Sequence, residues 1–219
     1  MIRKNIYVLL ALVFFVSTVI FGVYQKVENN KYEAFISHEI KNGILKFANG
    51  VTINKSIISD ALENNEISRE QIEELELYFG NIIESGFTVI DLSTTWMNKI
   101  DASQYNSSPY PVHMVLDFNN YITRLKREEF VEKDTYLLTE IDTTKLKIMK
   151  NIFTSWENIL AQNIIGIEKN KKKDSGITVT DKFPKIYGDD LINKKDWINL
   201  IDDIQTKSQS FEEEIKLNF

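Results

Sequence analysis

The chain has 219 residues, 43% of them hydrophobic and 26% charged, with only 8 glycines and 3 prolines, a composition that folds rather than staying disordered and that favours long helices. It has no cysteine, which excludes disulfides, cysteine nucleophiles, iron–sulfur clusters and thiolate zinc sites. The net charge is −6, and −8 once the first 24 residues, with Arg3 and Lys4 but no acid, are set aside, so no nucleic-acid partner is expected.

Residues 6–23 carry no charge. As a helix they would span roughly 27 Å, close to the hydrocarbon thickness of a bilayer, with Tyr7 and Tyr24 where interfacial aromatics sit. A cleaved signal peptide wants a shorter apolar run and a small-x-small exit. The exit here is Ile20-Phe21-Gly22-Val23-Tyr24, so an uncleaved signal-anchor is expected. Lys26 and Lys31 balance Arg3 and Lys4 across the run. The free α-amino group and the closeness of Arg3 and Lys4 tip the orientation towards N-terminus inside, leaving the bulk of the chain outside the cytoplasm.

Beyond the run, Tyr32, Phe35, Ile36, Ile40, Ile44, Phe47 and Ala48 recur at helical spacing until Gly50, where an interruption is expected. A short segment from Asn54 to Leu62 follows, and Asn64-Asn65 suits a turn. Ser68-Arg69-Glu70-Gln71 fits a capping box. The stripe Ile72, Leu75, Phe79, Ile82, Ile83, Val89, Ile90, Trp96, Met97 and Ile100 then predicts one helix to residue 100, with a strand over Phe87–Ile90 as the alternative. Within it, Gly86-Phe87-Thr88-Val89-Ile90-Asp91-Leu92 resembles the start of type IV pilin helices over seven residues. In that family the motif opens a membrane-length apolar run. Here it leads into Ser93-Thr94-Thr95, and no function is carried over.

Pro109 and Pro111 impose a loop, after which a helix is expected from about Pro111 to Val131. Asp142 or Thr143 is the expected cap of the next, whose stripe Leu146, Met149, Phe153, Trp156 and Leu160 has the heptad-like spacing of coiled-coil packing. Lys169-Asn170-Lys171-Lys172-Lys173 reads as a solvated loop. Residues 177–180 alternate like a strand, without an evident partner. A last helix is expected from Asn193 to Leu217, with Trp197, Ile201, Ile204, Phe211 and Ile215 on one face.

The fold expected is therefore mainly α: one N-terminal transmembrane helix, then an elongated antiparallel bundle of four to five helices. Residues 1–25 form the anchor and 26–219 an extracytoplasmic helical domain.

Chemistry is sparsely represented. His38-Glu39-Ile40-Lys41-Asn42 lacks the second histidine of a zinc-binding H-E-x-x-H. The acidic groups Asp189-Asp190, Asp202-Asp203 and Glu212-Glu213-Glu214 project their members about 100° apart on a helix. No metal, cofactor or catalytic set is expected. Trp96, Trp156 and Trp197 fall on core stripes, and together with Tyr105 and Tyr110 they are the candidates for lining a ligand cleft between helices. The functional expectation is a membrane-anchored module that binds a protein partner or its own copies. A ligand-sensing or substrate-binding bundle and an enzyme without a signature are the alternatives.

Overall fold

The computed structural model describes residues 2–96, 110–170 and 176–219. The chain is mainly helical, at 81%. Helix α1 (Ile2–Asn64) is followed by β1 (Glu66–Ser68), α2 (Arg69–Asp91) and a π-helical turn (Leu92–Trp96). After residue 109 come α3 (Tyr110–Glu129), β2 (Thr135–Leu137), α4 (Glu140–Asn163) and β3 (Ile167–Lys169). Then follow β4 (Ile177–Val179), α5 (Lys182–Ile186), a 3₁₀ turn (Leu191–Asn193), α6 (Asp196–Gln209) and α7 (Glu212–Asn218).

Helix α1 has 63 residues and is roughly 95 Å long at 1.5 Å per residue. From Leu10 it is long and apolar enough to cross a membrane, and none of its apolar window is buried against the rest of the chain. Phe14, Phe15, Ile20 and Phe21 are all more than 60% exposed. The same helix turns inward at Ser37 and Ile40, and Ile44, Ala48, Val51, Ile58 and Ala61 are buried against α2 and α4.

The break expected at Gly50 is absent. Glycine costs a helix about 1 kcal/mol relative to alanine, but here it admits a neighbour. A Cβ on Gly50 would lie 2.7 Å from Ile82 Cγ1 and 3.0 Å from the Tyr78 carbonyl, so the glycine sets how closely α1 and α2 pack. The helix ends instead at the expected Asn64-Asn65 turn, where Asn65 takes φ +56°, a left-handed terminator that asparagine tolerates.

Helix α2 starts on the expected capping box. Ser68 Oγ accepts from the Gln71 N–H at 3.1 Å, and Gln71 Oε1 accepts from the Ser68 N–H at 2.8 Å. Residues 87–90 are helical, not a strand. The expected continuation through Met97 and Ile100, and the loop of 101–109, lie outside the described residues. The start of α4 differs from expectation by three residues: Thr139 is the N-cap, and Asp142 is the N3 member of a second capping box. Its stripe Leu146, Met149, Phe153, Trp156 and Leu160 is fully buried.

A chain of rings ties the first four helices together. Phe47 of α1 meets Trp156 of α4 at 5.5 Å, Trp156 meets Phe153 at 5.5 Å, and Phe153 meets Phe79 of α2 and Phe118 of α3 at 6.1 and 6.0 Å. Each such pair contributes about 0.5–1.5 kcal/mol beyond the area it buries.

Two small antiparallel ladders pin the connections. β1 pairs with β2 (Ile67↔Tyr136) and β4 with β3 (Glu168↔Thr178), so the strand at 177–179 does have a partner. The expected last helix is divided. The Ser210 and Phe211 N–H groups bond back only three residues, to the carbonyls of Lys207 and Ser208, which tightens and ends α6. Helix α7 then folds back to bury Ile215 and to set the Phe219 ring on Phe118 and Tyr121.

Candidate functional site

The aromatic residues expected to share a cleft occupy different settings. Trp156 is fully buried and its indole N–H donates to Ser208 Oγ at 3.0 Å. Trp197, at the start of α6, is also fully buried, and its indole N–H has no acceptor among the described residues. Tyr110 opens α3 half-buried, its backbone N–H donating to Gln205 Oε1 at 3.1 Å. Burial and the charges of Glu212 and Asp117 push the Tyr110 phenol up to about 12. Tyr105 and the Trp96 side chain lie outside the described residues.

An apolar cavity of about 50 Å³ lies between α1, α2, α3 and α6, with Gly43, Phe47, Gly86, Val112, Ile204 and Gln205 among its walls. Of the aromatics just named, the described Tyr110, Trp156 and Trp197 do not line it. Its walls come together because Gly86 has no side chain: a Cβ there would stand 2.7 Å from Val112 Cγ2. A volume this small takes a side-chain tip rather than a metabolite, since ligand pockets run from about 300 Å³ upwards.

One member of each acidic group is engaged by a neighbouring side chain. Asp190 accepts from Asn193 Nδ2 at 2.7 Å, Asp203 from Asn163 Nδ2 at 2.9 Å, and Glu212 pairs with Lys216 at 2.5 Å. His38 and His113 are exposed on different helices, α1 and α3. Among the described residues, no three of His, Asp or Glu are grouped to hold a metal ion.

Two buried polar clusters escaped the sequence reading. Between α1 and α4, Lys55 Nζ meets Glu157 Oε2 at 2.5 Å, with side chains only 6% and 4% exposed. Glu157 Oε1 has no donor among the described residues. Gly176, at φ +74°, closes over the pair so tightly that a Cβ would meet Thr52 Cγ2 at 2.5 Å and Glu157 Oε1 at 3.1 Å. One signal was legible: Lys55 interrupts the apolar stripe Val51–Ile58 at a helical interval.

The second cluster centres on Asp142. Its Oδ1 accepts from the Tyr121 hydroxyl at 2.6 Å. Its Oδ2 accepts from the Tyr136 hydroxyl at 2.9 Å, the Thr139 N–H at 3.0 Å and the Thr139 hydroxyl at 2.5 Å. Burial pulls the Asp142 carboxyl upward, but the bonds from Thr139, Tyr121 and Tyr136 outweigh it and hold the group below the usual carboxylate range. Burial and the bond to Asp142 push the Tyr136 phenol up to about 12. The legible signal here is Thr139-x-x-Asp142, a capping-box spacing.

The chain matches no protein-family model, no curated protein and no solved structure.

Proposed function

We propose that the protein is a single-pass membrane module, held by residues 6–23 as an uncleaved signal-anchor with the N-terminus in the cytoplasm. Residues 26–219 then form an extracytoplasmic, elongated antiparallel helical bundle that binds a protein partner or assembles with copies of itself at the cell envelope. The observation that carries this reading is the continuity of α1: one unbroken helix is apolar and unburied from Leu10, yet is a core element from Ile40 to Ala61.

That continuity has a mechanical meaning. A bundle whose core helix is also its anchor is held at a defined distance from the bilayer. Between Tyr24 and Ile36 runs about 18 Å of helix, on which Val27, Tyr32 and Phe35 remain exposed. Exposed apolar side chains on such a stalk suit contact with another helix in the same membrane.

The test uses the full chain expressed in cells. Expected outcomes are retention in the membrane after alkaline carbonate washing, and digestion of the bulk domain by protease added outside intact cells. Because the chain has no cysteine, Y32C or F35C supplies a unique thiol, and disulfide-linked dimers or a discrete heterologous adduct are expected. Release by carbonate, protection from external protease, or a monomeric chain without adducts at either position each refutes the corresponding part.

A further inference from the structure

Two cations, Arg124 of α3 and Lys145 of α4, stand over the Tyr121 ring, and Lys145 is the buried one. It is 9% exposed, and its Nζ is held 4.6 Å from the centre of the Tyr121 ring and 5.1 Å from that of Phe219. An ammonium is favourably placed on ring faces, but a ring satisfies none of its three N–H donors as an oxygen would. Asp142, one helical turn away, has both carboxylate oxygens engaged by Tyr121, Tyr136 and Thr139. No acceptor among the described residues takes a hydrogen bond from Lys145. Burial and the positive charge of Arg124 both depress its ammonium, opposed by Asp142.

The same lysine lines an open pocket of about 430 Å³, together with Glu140, Ile141, Thr144, Leu217 and Asn218. Three features raise the positive potential there. Lys145 itself is the first. Arg124 is the second, its guanidinium carbon 6.0 Å from the centre of the Tyr121 ring and without an ion-pair partner among the described residues. The third is the N-terminus of α4, a 24-residue helix whose first turn forms the wall and whose dipole favours a negative charge. Against them stand Glu140 on the rim and the Asp142 carboxylate one helical turn from Lys145, whose oxygens are already taken up by Tyr121, Tyr136 and Thr139. Ile141 and Leu217 are apolar and 68% and 84% exposed, so the pocket offers a greasy wall beside a cation.

We infer that this pocket binds a small monocarboxylate with an apolar body, its carboxylate on Lys145 Nζ and its hydrocarbon against Ile141 and Leu217. Glu140 repels any anion, and a dianion such as phosphate more strongly than a monoanion, which favours a single negative charge. A carboxylate also supplies the oxygen acceptors that the rings of Tyr121 and Phe219 do not. This site stands independently of the membrane reading, because every residue in it belongs to α3, α4 or the region of α7.

The probe is hexanoate, with hexanol as the uncharged control of equal chain length, titrated into the full chain in neutral-detergent micelles. The Ile141 methyl signal is followed by NMR. Hexanoate is expected to shift it saturably, and hexanol at least tenfold more weakly. K145M keeps the apolar stem between the rings and is expected to weaken hexanoate at least tenfold. E140Q, at an exposed position, is expected to tighten it about two- to fivefold, and R124Q to weaken it by a similar factor. Equal binding of hexanoate and hexanol, or unchanged hexanoate affinity in K145M, overturns the site. If K145M does not fold, hexanoate affinity unmoved by both E140Q and R124Q overturns it.

Discussion

Replacing Lys55 by Met isolates the buried ion pair between α1 and α4. Lys55 and Glu157 sit 2.5 Å apart, with side chains 6% and 4% exposed, and methionine fills most of the volume of the lysine stem. The change therefore removes a charge with little change in packing. At an effective dielectric near 20, two charges at this distance attract by roughly 7 kcal/mol, offset by the cost of desolvating both. What remains after the substitution is a lone carboxylate in an apolar interface, with Oε1 already lacking a donor. Breaking such pairs costs about 3–5 kcal/mol, and in a chain of this length that lowers Tm by on the order of 10 °C. The assay is thermal unfolding of the full chain in neutral-detergent micelles, read by near-UV circular dichroism, to which Trp156 contributes from the adjoining position on α4. E157M should cost a similar amount, because it strands the lysine. The double variant K55M/E157M should be more stable than either single one, with a coupling of at least about 2 kcal/mol. Single losses below about 1 kcal/mol, the range of a solvated ion pair, or strict additivity in the double variant, would refute the reasoning.

Gly50→Val should push α1 and α2 apart, because its Cβ would stand 2.7 Å from Ile82 Cγ1. A loss of about 1–3 kcal/mol is expected by thermal unfolding, while Gly80→Ala, with nothing within 4 Å of the new Cβ, should be neutral or slightly stabilising. Ser208→Ala leaves the buried Trp156 indole N–H without its acceptor, a loss of about 1–3 kcal/mol, measurable by urea titration of tryptophan fluorescence. Asp142 is held below its ordinary value in the folded chain. Its contribution is therefore present above the unfolded value near 4 and is lost as pH falls towards the folded one. Asp142→Asn should flatten the fall in Tm between about pH 4 and pH 2, and an unchanged slope would refute that assignment. The Tyr136 phenol, raised to about 12, should still be protonated at pH 11 in a spectrophotometric titration, and its stabilising effect should fade only as pH rises from 10 through 12.

What could be read along the chain was what depends on near neighbours. The uncharged run of residues 6–23 is legible by composition as a helix long and apolar enough to cross a membrane, since such a helix needs only its own hydrogen bonds and apolar side chains. The Ser68–Gln71 cap is a four-residue device, and the α4 stripe from Leu146 to Leu160 repeats at the helix period, so both were legible locally. The cap of α4 is equally local, but the sequence offers Asp142 or Thr143 for it, because Asp142 reads as a cap until Thr139 is seen to donate to it.

The rest was decided by partners distant in sequence. Gly50 reads as a breaker until Ile82 is brought against it, and then it is a contact surface. The strand at 177–179 acquires meaning only from 167–169, a segment too short for its own period to show. The break after Gln209, where the Ser210 and Phe211 N–H groups bond back only three residues, acquires its meaning from α3 and α4, onto which Ile215 and Phe219 turn back. Lys55 and Lys145 look like surface lysines in sequence. One is buried by a glutamate 102 residues away and the other by the rings of Tyr121 and Phe219, because the energy of a charge depends on the groups that replace water around it, and those groups arrive only with the fold.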